Sequence, residues 1–451
     1  MLKTSVPAEE IRKLYMSLYE KHKEEIDIRV KDGIEKYRKG GAKIRLTDKN
    51  GNPIKNQTVR LNQVSHDFKY GANIFMLDEL GDENLNAEYR KQFKEYFNAA
   101  TVPFYWNTLE PQENRPRYDK NSEKIYRRPA PELCMEYCEE NGISPKLHCL
   151  VYESFTPEWL HGLPLRKVKE KYEKRFKEIT DRFSGRMFEF EVINELLQEK
   201  GWKNKSVLSE QKDIIEWSFR TARKYFPDET LVINEGNPII SLADEDYRSP
   251  LYMMIDAALL KGAPIDKIGL QHHLFTGALC STNEEYDAAI KEGTELFDPI
   301  KHLKGLDIIA ELGLPLEITE VTVPTFDDTE EAEQLQADIL KLWYSIWFSH
   351  PAVNTIVYWN TVEGYAYEKP GWNENYCRGG IWHKDLTPKK SALMIKHLFL
   401  EEWHTDLTLT TDENGEIDFR GFFGDYLLTA GEKEFSLGLH KGEENSFGIT
   451  L

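Results

Sequence analysis

From about residue 68 to 400, short apolar runs alternate with longer stretches whose apolar residues recur at helical spacing. The runs read FKYGANIF, YFNAATVPF, SPKLHCLVY, MFEFEVINE, TLVINEGN, KIGLQHHLF, LPLEITEVT and NTIVYWNTV. Eight strands separated by helices are the tally of a (β/α)8 TIM barrel, an α/β fold that needs about 250 residues before insertions. Residues 7 to 39 are rich in Lys and Glu with spaced Ile, Leu, Tyr and Val, which predicts a helical segment over 1–40. IRLTD and TVRLNQV then alternate around Asn50-Gly51-Asn52-Pro53, predicting a β-hairpin within 41–67. After HLFLEEW the pattern is β-like again over 403–451. The expected architecture is a catalytic barrel at 68–402 with a C-terminal β region packing on it. Its N- and C-terminal strands would together form a small accessory β-sandwich.

The C-terminal ends of barrel strands build the active site in this fold. Here they carry His148, Asn194 with Glu195, Asn234 with Glu235, Gln271 with His272 and His273, Glu320, and Trp359 with Asn360. Polar residues at the tips of apolar runs are costly to bury unless paired. FEFEVIN is thus a barrel strand, and Asn194-Glu195 its catalytic tip. A single Glu at a strand–helix junction also serves as a carboxylate on a helix dipole. Two of them, at the ends of the fourth and seventh runs, would face each other across the barrel mouth. Glycoside hydrolysis needs such a pair, one protonated and one ionised. A spacing of about 5–5.5 Å retains anomeric configuration and roughly 6.5–9.5 Å inverts it.

The net charge of -19 argues against nucleic acid and anionic membrane as partners, since both require basic patches. The five cysteines are odd in number and lack short metal-type spacing. Free thiols suit a reducing compartment. No apolar leader or spanning segment stands in the chain, so a cytoplasmic monomer is expected.

These residues resemble glycoside hydrolase family 10, the retaining endo-β-1,4-xylanases, from about residue 57 to 400. FEVINE (190–195) is similar to the family's Trp-Asp-Val-Val-Asn-Glu, which implies Glu195 as acid/base and Asn194 as ligand of the sugar 2-hydroxyl. ITEVT (318–322) matches Ile-Thr-Glu-Leu-Asp and implies Glu320 as nucleophile. GLQHHL (269–274) resembles the Gln-x-His element, placing His273 against the nucleophile with Gln271 beside it. HCLVYESFTPEWL (148–160) carries over His148 as a sugar ligand, and VYWNTVEG (357–364) makes Trp359 a stacking floor. FNAATVPFYWNTLEP (97–111), INEGN (233–237) and the tail RGFFGDY (420–426) resemble further family blocks, the tail being that of plant-type members.

The chain departs from the family at several points. VPFYW (102–106) replaces the block whose Glu, Asn and Lys grip the second sugar on the non-reducing side. Tyr152-Glu153 stands for Trp-His, Thr322 for the Asp that orients the histidine, and Glu235-Gly236 for Asp-Tyr. Tyr152 is expected to line the sugar, Glu153 to bind a hydroxyl or offset a cation, and Trp106 to be scaffold. Trp372 and Trp382 are candidates for a substrate wall or for core, and His272 for a second sugar ligand or for a packed or solvent-facing imidazole.

The expected activity is retaining hydrolysis of xylan or xylo-oligosaccharides, with neither metal nor cofactor. A β-glycosidase acting on a different or branched plant glycan is the alternative. A metal-dependent sugar isomerase, with ligands drawn from His148, His273, Glu195, Glu235 and Glu320, and an inactive sugar-binding barrel are the remaining rivals.

Overall fold

The computed structural model describes residues 2–201 and 205–451. In chain order its strands begin with β1 (Lys39–Thr47) and β2 (Thr58–Gln63). Eight strands follow, one at each of the expected runs: β3 (Lys69–Asn73), β4 (Ala99–Pro103), β5 (Ser144–His148), β6 (Glu189–Asn194), β7 (Thr230–Glu235), β8 (Lys267–His273), β9 (Leu316–Thr322) and β10 (Val353–Tyr358). They close into a barrel in the order β10-β3-β4-β5-β6-β7-β8-β9. A two-residue ladder, β11 (Glu368–Lys369) with β12 (Trp372–Asn373), comes next, and β13 (Asp406–Thr410), β14 (Glu416–Phe422), β15 (Gly424–Ala430), β16 (Lys433–Leu439) and β17 (Ser446–Thr450) end the chain.

The chain forms two compact units. The first (Met1–Lys21, Tyr70–Leu340 and Ala352–Ser391) contains the barrel. Its helices form where sequence chemistry dictates. Leu165–Phe183 buries Val168, Tyr172, Phe176, Ile179 and Phe183, spaced three or four apart on one face. Asn283–Glu292 opens on a capping box between Thr282 and Glu285, which satisfies backbone N–H groups that the first turn leaves without partners. Asp82 caps Glu83–Tyr96 through the N–H groups of Asn84 and Leu85.

The barrel interior is not purely apolar. Glu189 and Glu191, two apart on β6, meet Lys146, Lys267 and Glu317 in a buried layer of charge. Lys146 pairs with Glu317 and, at 3.3 Å, with Glu191. Lys267 pairs with Glu189, lies 3.6 Å from Glu317, and donates to the Thr355 hydroxyl at 2.9 Å. Burial and the Glu317 charge raise Glu189. Burial would raise Glu317 too, but the two lysines outweigh it and hold that carboxylate down.

The second unit (His22–Lys69, Lys341–Pro351 and Ala392–Leu451) holds a three-stranded sheet, β14-β1-β17, and a four-stranded sheet, β13-β2-β15-β16. N- and C-terminal strands thus form two small sheets, as the alternation predicts. The expected hairpin pairing of β1 with β2 is not formed. The turn at Asn50-Gly51-Asn52-Pro53 exists, but β1 pairs with β14 and β17, and β2 with β13 and β15. Ile44 and Leu46 on β1 and Val59 and Leu61 on β2 all enter one apolar cluster with Ile417, Leu428 and Leu439. Placing the two strands in different sheets lets both apolar faces cover the same core.

Candidate active site

Four strand tips deliver the central side chains. β6 ends on Asn194, and Glu195 follows with φ of 54°, a left-handed conformation that non-glycine residues rarely adopt. Its N–H donates to the Asn234 carbonyl at 3.0 Å, which ties the tip of β6 to β7. Glu320 projects from β9, and Gln271 and His273 from the same face of β8. Strand alternation sends His272 the other way, where its ring meets His302 at 4.8 Å, so it is a packed imidazole.

The side chains form one connected network. Gln271 Nε2 lies 2.9 Å from Glu195 Oε1, 3.0 Å from Glu320 Oε1 and 3.2 Å from Asn194 Oδ1. Asn234 Nδ2 reaches Glu320 Oε1 at 3.1 Å, Asn194 Oδ1 at 2.9 Å and Glu191 Oε1 at 3.2 Å. Thr319 donates to Asn234 Oδ1 at 2.6 Å and orients that amide. Asn194 therefore accepts twice through Oδ1, and among the described residues its Nδ2 has no partner. That N–H pair is available to a ligand hydroxyl.

His273 Nε2 stands 3.1 Å from Glu320 Oε2, and its Nδ1 3.0 Å from the Thr322 hydroxyl. The hydroxyl holds the ring that the sequence departure at 322 left without a carboxylate. Burial lowers the His273 pKa to about 4, so the ring is neutral. With Thr322 donating to Nδ1, Nε2–H donates to Glu320. His148 binds the Tyr105 hydroxyl through Nε2 at 3.0 Å and lies 2.9 Å from Glu191 through Nδ1. Burial opposes its charge, but Glu191 outweighs that and raises the His148 pKa. Burial pushes the Glu320 carboxyl well above the ordinary range, His148 draws it back, and the charges of Glu191 and Glu195 add to the rise. Burial also brings Glu235 up to about 7; its oxygens accept from the N–H groups of Leu197 and Gly236.

Tyr152 donates its hydroxyl to Glu195 Oε2 at 2.6 Å, which adds a contact with the acid pair to its expected place in the cleft lining. Trp359, 5% exposed, packs its ring against Phe75, His148 and His273. Trp372 lines the cleft and approaches Phe275 edge-on. Trp382 instead lies in the core against Tyr89 and Tyr96, and Trp106 is scaffold against Tyr172 and Trp159. Glu153 accepts from the Tyr172 hydroxyl at 2.6 Å and from the Ser206 N–H at 2.7 Å, and the Lys205 charge acts on it as well.

The cleft has a volume of about 330 Å³. Beyond the expected residues it is lined by Phe75, Tyr105, Phe155 and Tyr367, and by Arg127 and Arg128. Phe75 and Tyr105 stand two residues past the ends of β3 and β4, a position that could have flagged them. The arginines sit in the long connection between β4 and β5, where no periodic signal marks them. Among the described residues, the side chains close enough to share a metal ion are His148, Cys149 and Glu191, not the set considered from sequence. Two of these are already committed, His148 to Glu191 and Tyr105, and Glu191 to Lys146.

Residues 63–397 match the family model described as Glycosyl hydrolase family 10. Over 421 residues the chain is 25% identical to the anti-sigma-I factor RsgI6 of Acetivibrio thermocellus, covering 91% of this chain and 48% of that protein. It is 26% identical to endo-1,4-beta-xylanase B of Thermotoga neapolitana, over 70% of this chain and 84% of the relative. Endo-1,4-beta-xylanase 2 of Arabidopsis thaliana is 22% identical over 87% of this chain and 32% of its own length. The chain thus spans about half the length of the first of these relatives and about a third of the last. The crystal structure of xylanase 10B from Thermotoga maritima shares the fold with a TM-score of 0.58 at 23% identity, covering 74% of this chain and 96% of that one.

Proposed function

Because the chain belongs to glycosyl hydrolase family 10, we propose that it cleaves β-1,4-linked xylan or xylo-oligosaccharides with retention, by double displacement. One observation carries this reading. A single amide nitrogen, Gln271 Nε2, contacts both Glu195 Oε1 and Glu320 Oε1 at 2.9 and 3.0 Å. One oxygen of each carboxyl therefore lies within the sum of those distances of the other, which supports the close spacing of a retaining pair.

Glu320, ionised, attacks the anomeric carbon while Glu195 protonates the leaving oxygen; the glycosidic bond breaks and a glycosyl ester forms on Glu320. Glu195, now charged, takes a proton from water, and that water displaces the ester with a second inversion. The N–H groups of Gln271, Asn234 and His273 converge on Glu320 and hold it for in-line attack. Asn194 Nδ2 is placed for the 2-hydroxyl, where a bond that tightens as positive charge develops on the ring lowers the barrier. Trp359 offers an apolar face to the pyranose.

The test is turnover of an aryl β-xyloside, with the first-formed anomer identified by proton NMR. Retention in the wild type, and loss of turnover in Glu320→Ala, are expected. An inverted first product, or full activity in Glu320→Ala, defeats the proposal. The block at 102–106, without the family's Glu, Asn and Lys, favours a second reading in which the same chemistry serves a different or branched plant glycan.

A further inference from the structure

The cleft wall beside Tyr105 carries positive charge that the double displacement does not use. The Arg128 guanidinium lies over the Tyr105 ring, its Cζ 3.8 Å from the centroid, and 5.3 Å from that of Phe75. Arg127 stands 5.7 Å from the same Phe75 ring. Both arginines line the cavity that holds Glu195 and Glu320, yet they are only 3% and 8% exposed.

Their hydrogen bonds leave them short of partners. Arg128 Nη1 donates to the Arg127 carbonyl at 2.8 Å; among the described residues its Nε and Nη2 have none. Arg127 donates to the Tyr365 carbonyl and to Asn360 Oδ1, and its Nε is also without a partner. Neither has a carboxylate at ion-pair distance among the described residues. This is costly, because buried charge without a counter-charge destabilises a fold. Among the described residues, a chain with 77 acidic residues nevertheless places no carboxylate within ion-pair distance here, and the Glu374 charge reaches Arg128 only from farther away. Apart from the central pair, Glu374 is the carboxylate lining this cavity, and it is engaged by Asn360 Nδ2 at 2.6 Å and Trp372 Nε1 at 3.3 Å. Lys369, at the exposed edge, adds a third cation.

We propose that Arg128, backed by Arg127, receives a carboxylate carried by the substrate, so that the preferred glycan is a β-linked pyranose chain bearing a uronic acid substituent. The inference rests on the glycosidase reading above. A guanidinium offers paired N–H groups in a plane, which match a carboxylate and exceed what a neutral hydroxyl can use. Stacking on Tyr105 fixes that plane in advance, so little side-chain freedom is lost on binding. Tyr105 is also hydrogen-bonded to His148, which links the charged wall to the polar centre of the cleft.

The test uses calorimetry on the Glu320→Gln protein with three ligands of equal length: a neutral xylo-oligosaccharide, the same chain bearing glucuronic acid, and the methyl ester of that acid. The acid should bind about ten-fold or more tightly than the other two, an advantage that shrinks with added salt. In an Arg128→Gln background the advantage should collapse, and Arg128→Lys should keep part of it. Equal binding of acid and ester, an advantage that survives Arg128→Gln, or no binding of any of the three overturns the inference. Should Arg128→Gln fail to fold, the ester comparison and the salt dependence decide alone. Preference for the acid without turnover by the wild type sinks the hydrolase reading and leaves this one. Turnover of a neutral aryl xyloside without acid preference does the reverse.

Discussion

The Tyr152 hydroxyl donates to Oε2 of Glu195 at 2.6 Å, from a position where the family motif carries tryptophan. Gln271 holds the other oxygen, so both lone-pair faces of this carboxyl are directed by donors. A hydrogen bond to a neutral partner contributes about 0.5–1.5 kcal/mol. Tyr152→Phe should therefore lower kcat/KM on xylo-oligosaccharides by roughly 2- to 10-fold. The loss should be smaller on an activated aryl glycoside, whose leaving group needs less protonation. Equal losses on both would assign Tyr152 to sugar binding alone.

The raised Glu320 carboxyl sets the acidic limb of activity. Burial is the main cause, opposed by His148. Because the attacking form is the charged one, activity is lost as pH falls through a value above the ordinary carboxylate pKa of about 4.3. Replacing His148 by Gln removes the opposing charge and should move that limb to still higher pH. The pH profile of kcat/KM on an aryl glycoside measures both; a limb that stays put or moves down contradicts the assignment.

Thr322 holds His273 through a hydroxyl, at 3.0 Å. Thr322→Val keeps the volume but leaves Nδ1 buried without a donor, at a cost of about 1–3 kcal/mol. The expected result is a fall in kcat of about 5- to 100-fold with KM little changed, since the ring orients Glu320 rather than the sugar. Steady-state kinetics separates the two constants.

The buried charge layer predicts a stability effect remote from catalysis. Lys146→Met strips Glu191 and Glu317 of a shared cation inside the barrel. Removing one partner of a buried pair costs about 3–5 kcal/mol. Urea denaturation should show a lower midpoint with an unchanged slope. A midpoint equal to that of the wild type would mean that the layer is energetically neutral.

Burial lowers the His272 pKa to about 3. The unfolded chain binds this proton near pH 6.5, and the folded chain does so only near 3. Stability at His272 is therefore intact above about pH 6.5 and declines as pH falls towards 3, by at most about 4–5 kcal/mol. His272→Gln should flatten the fall in urea midpoint between pH 7 and 4; an undiminished fall would place the acid sensitivity elsewhere.

Much of the site was legible because barrel chemistry sits at strand ends. Asn194, Glu195, Gln271, His273 and Glu320 each close an apolar run, and that position alone nominates them. Glu153 and Trp382 were harder, since a Glu or Trp near a strand end looks the same whether it faces the cleft or the core. Their partners, Tyr172 and Ser206 for one and Tyr89 and Tyr96 for the other, come from other parts of the chain.

Side-chain period and run length are enough to specify the eight-strand alternation, the small β sheets built from N- and C-terminal strands, and the polar strand tips. These are local properties, set by side-chain period and by where each apolar run stops. Tertiary structure alone decided that β1 and β2 join different sheets, that Lys146 and Lys267 enter the barrel to meet Glu189, Glu191 and Glu317, and that Arg128 stacks on Tyr105. Such pairings depend on barrel closure and on the path of a long loop. No residue's immediate neighbours encode either.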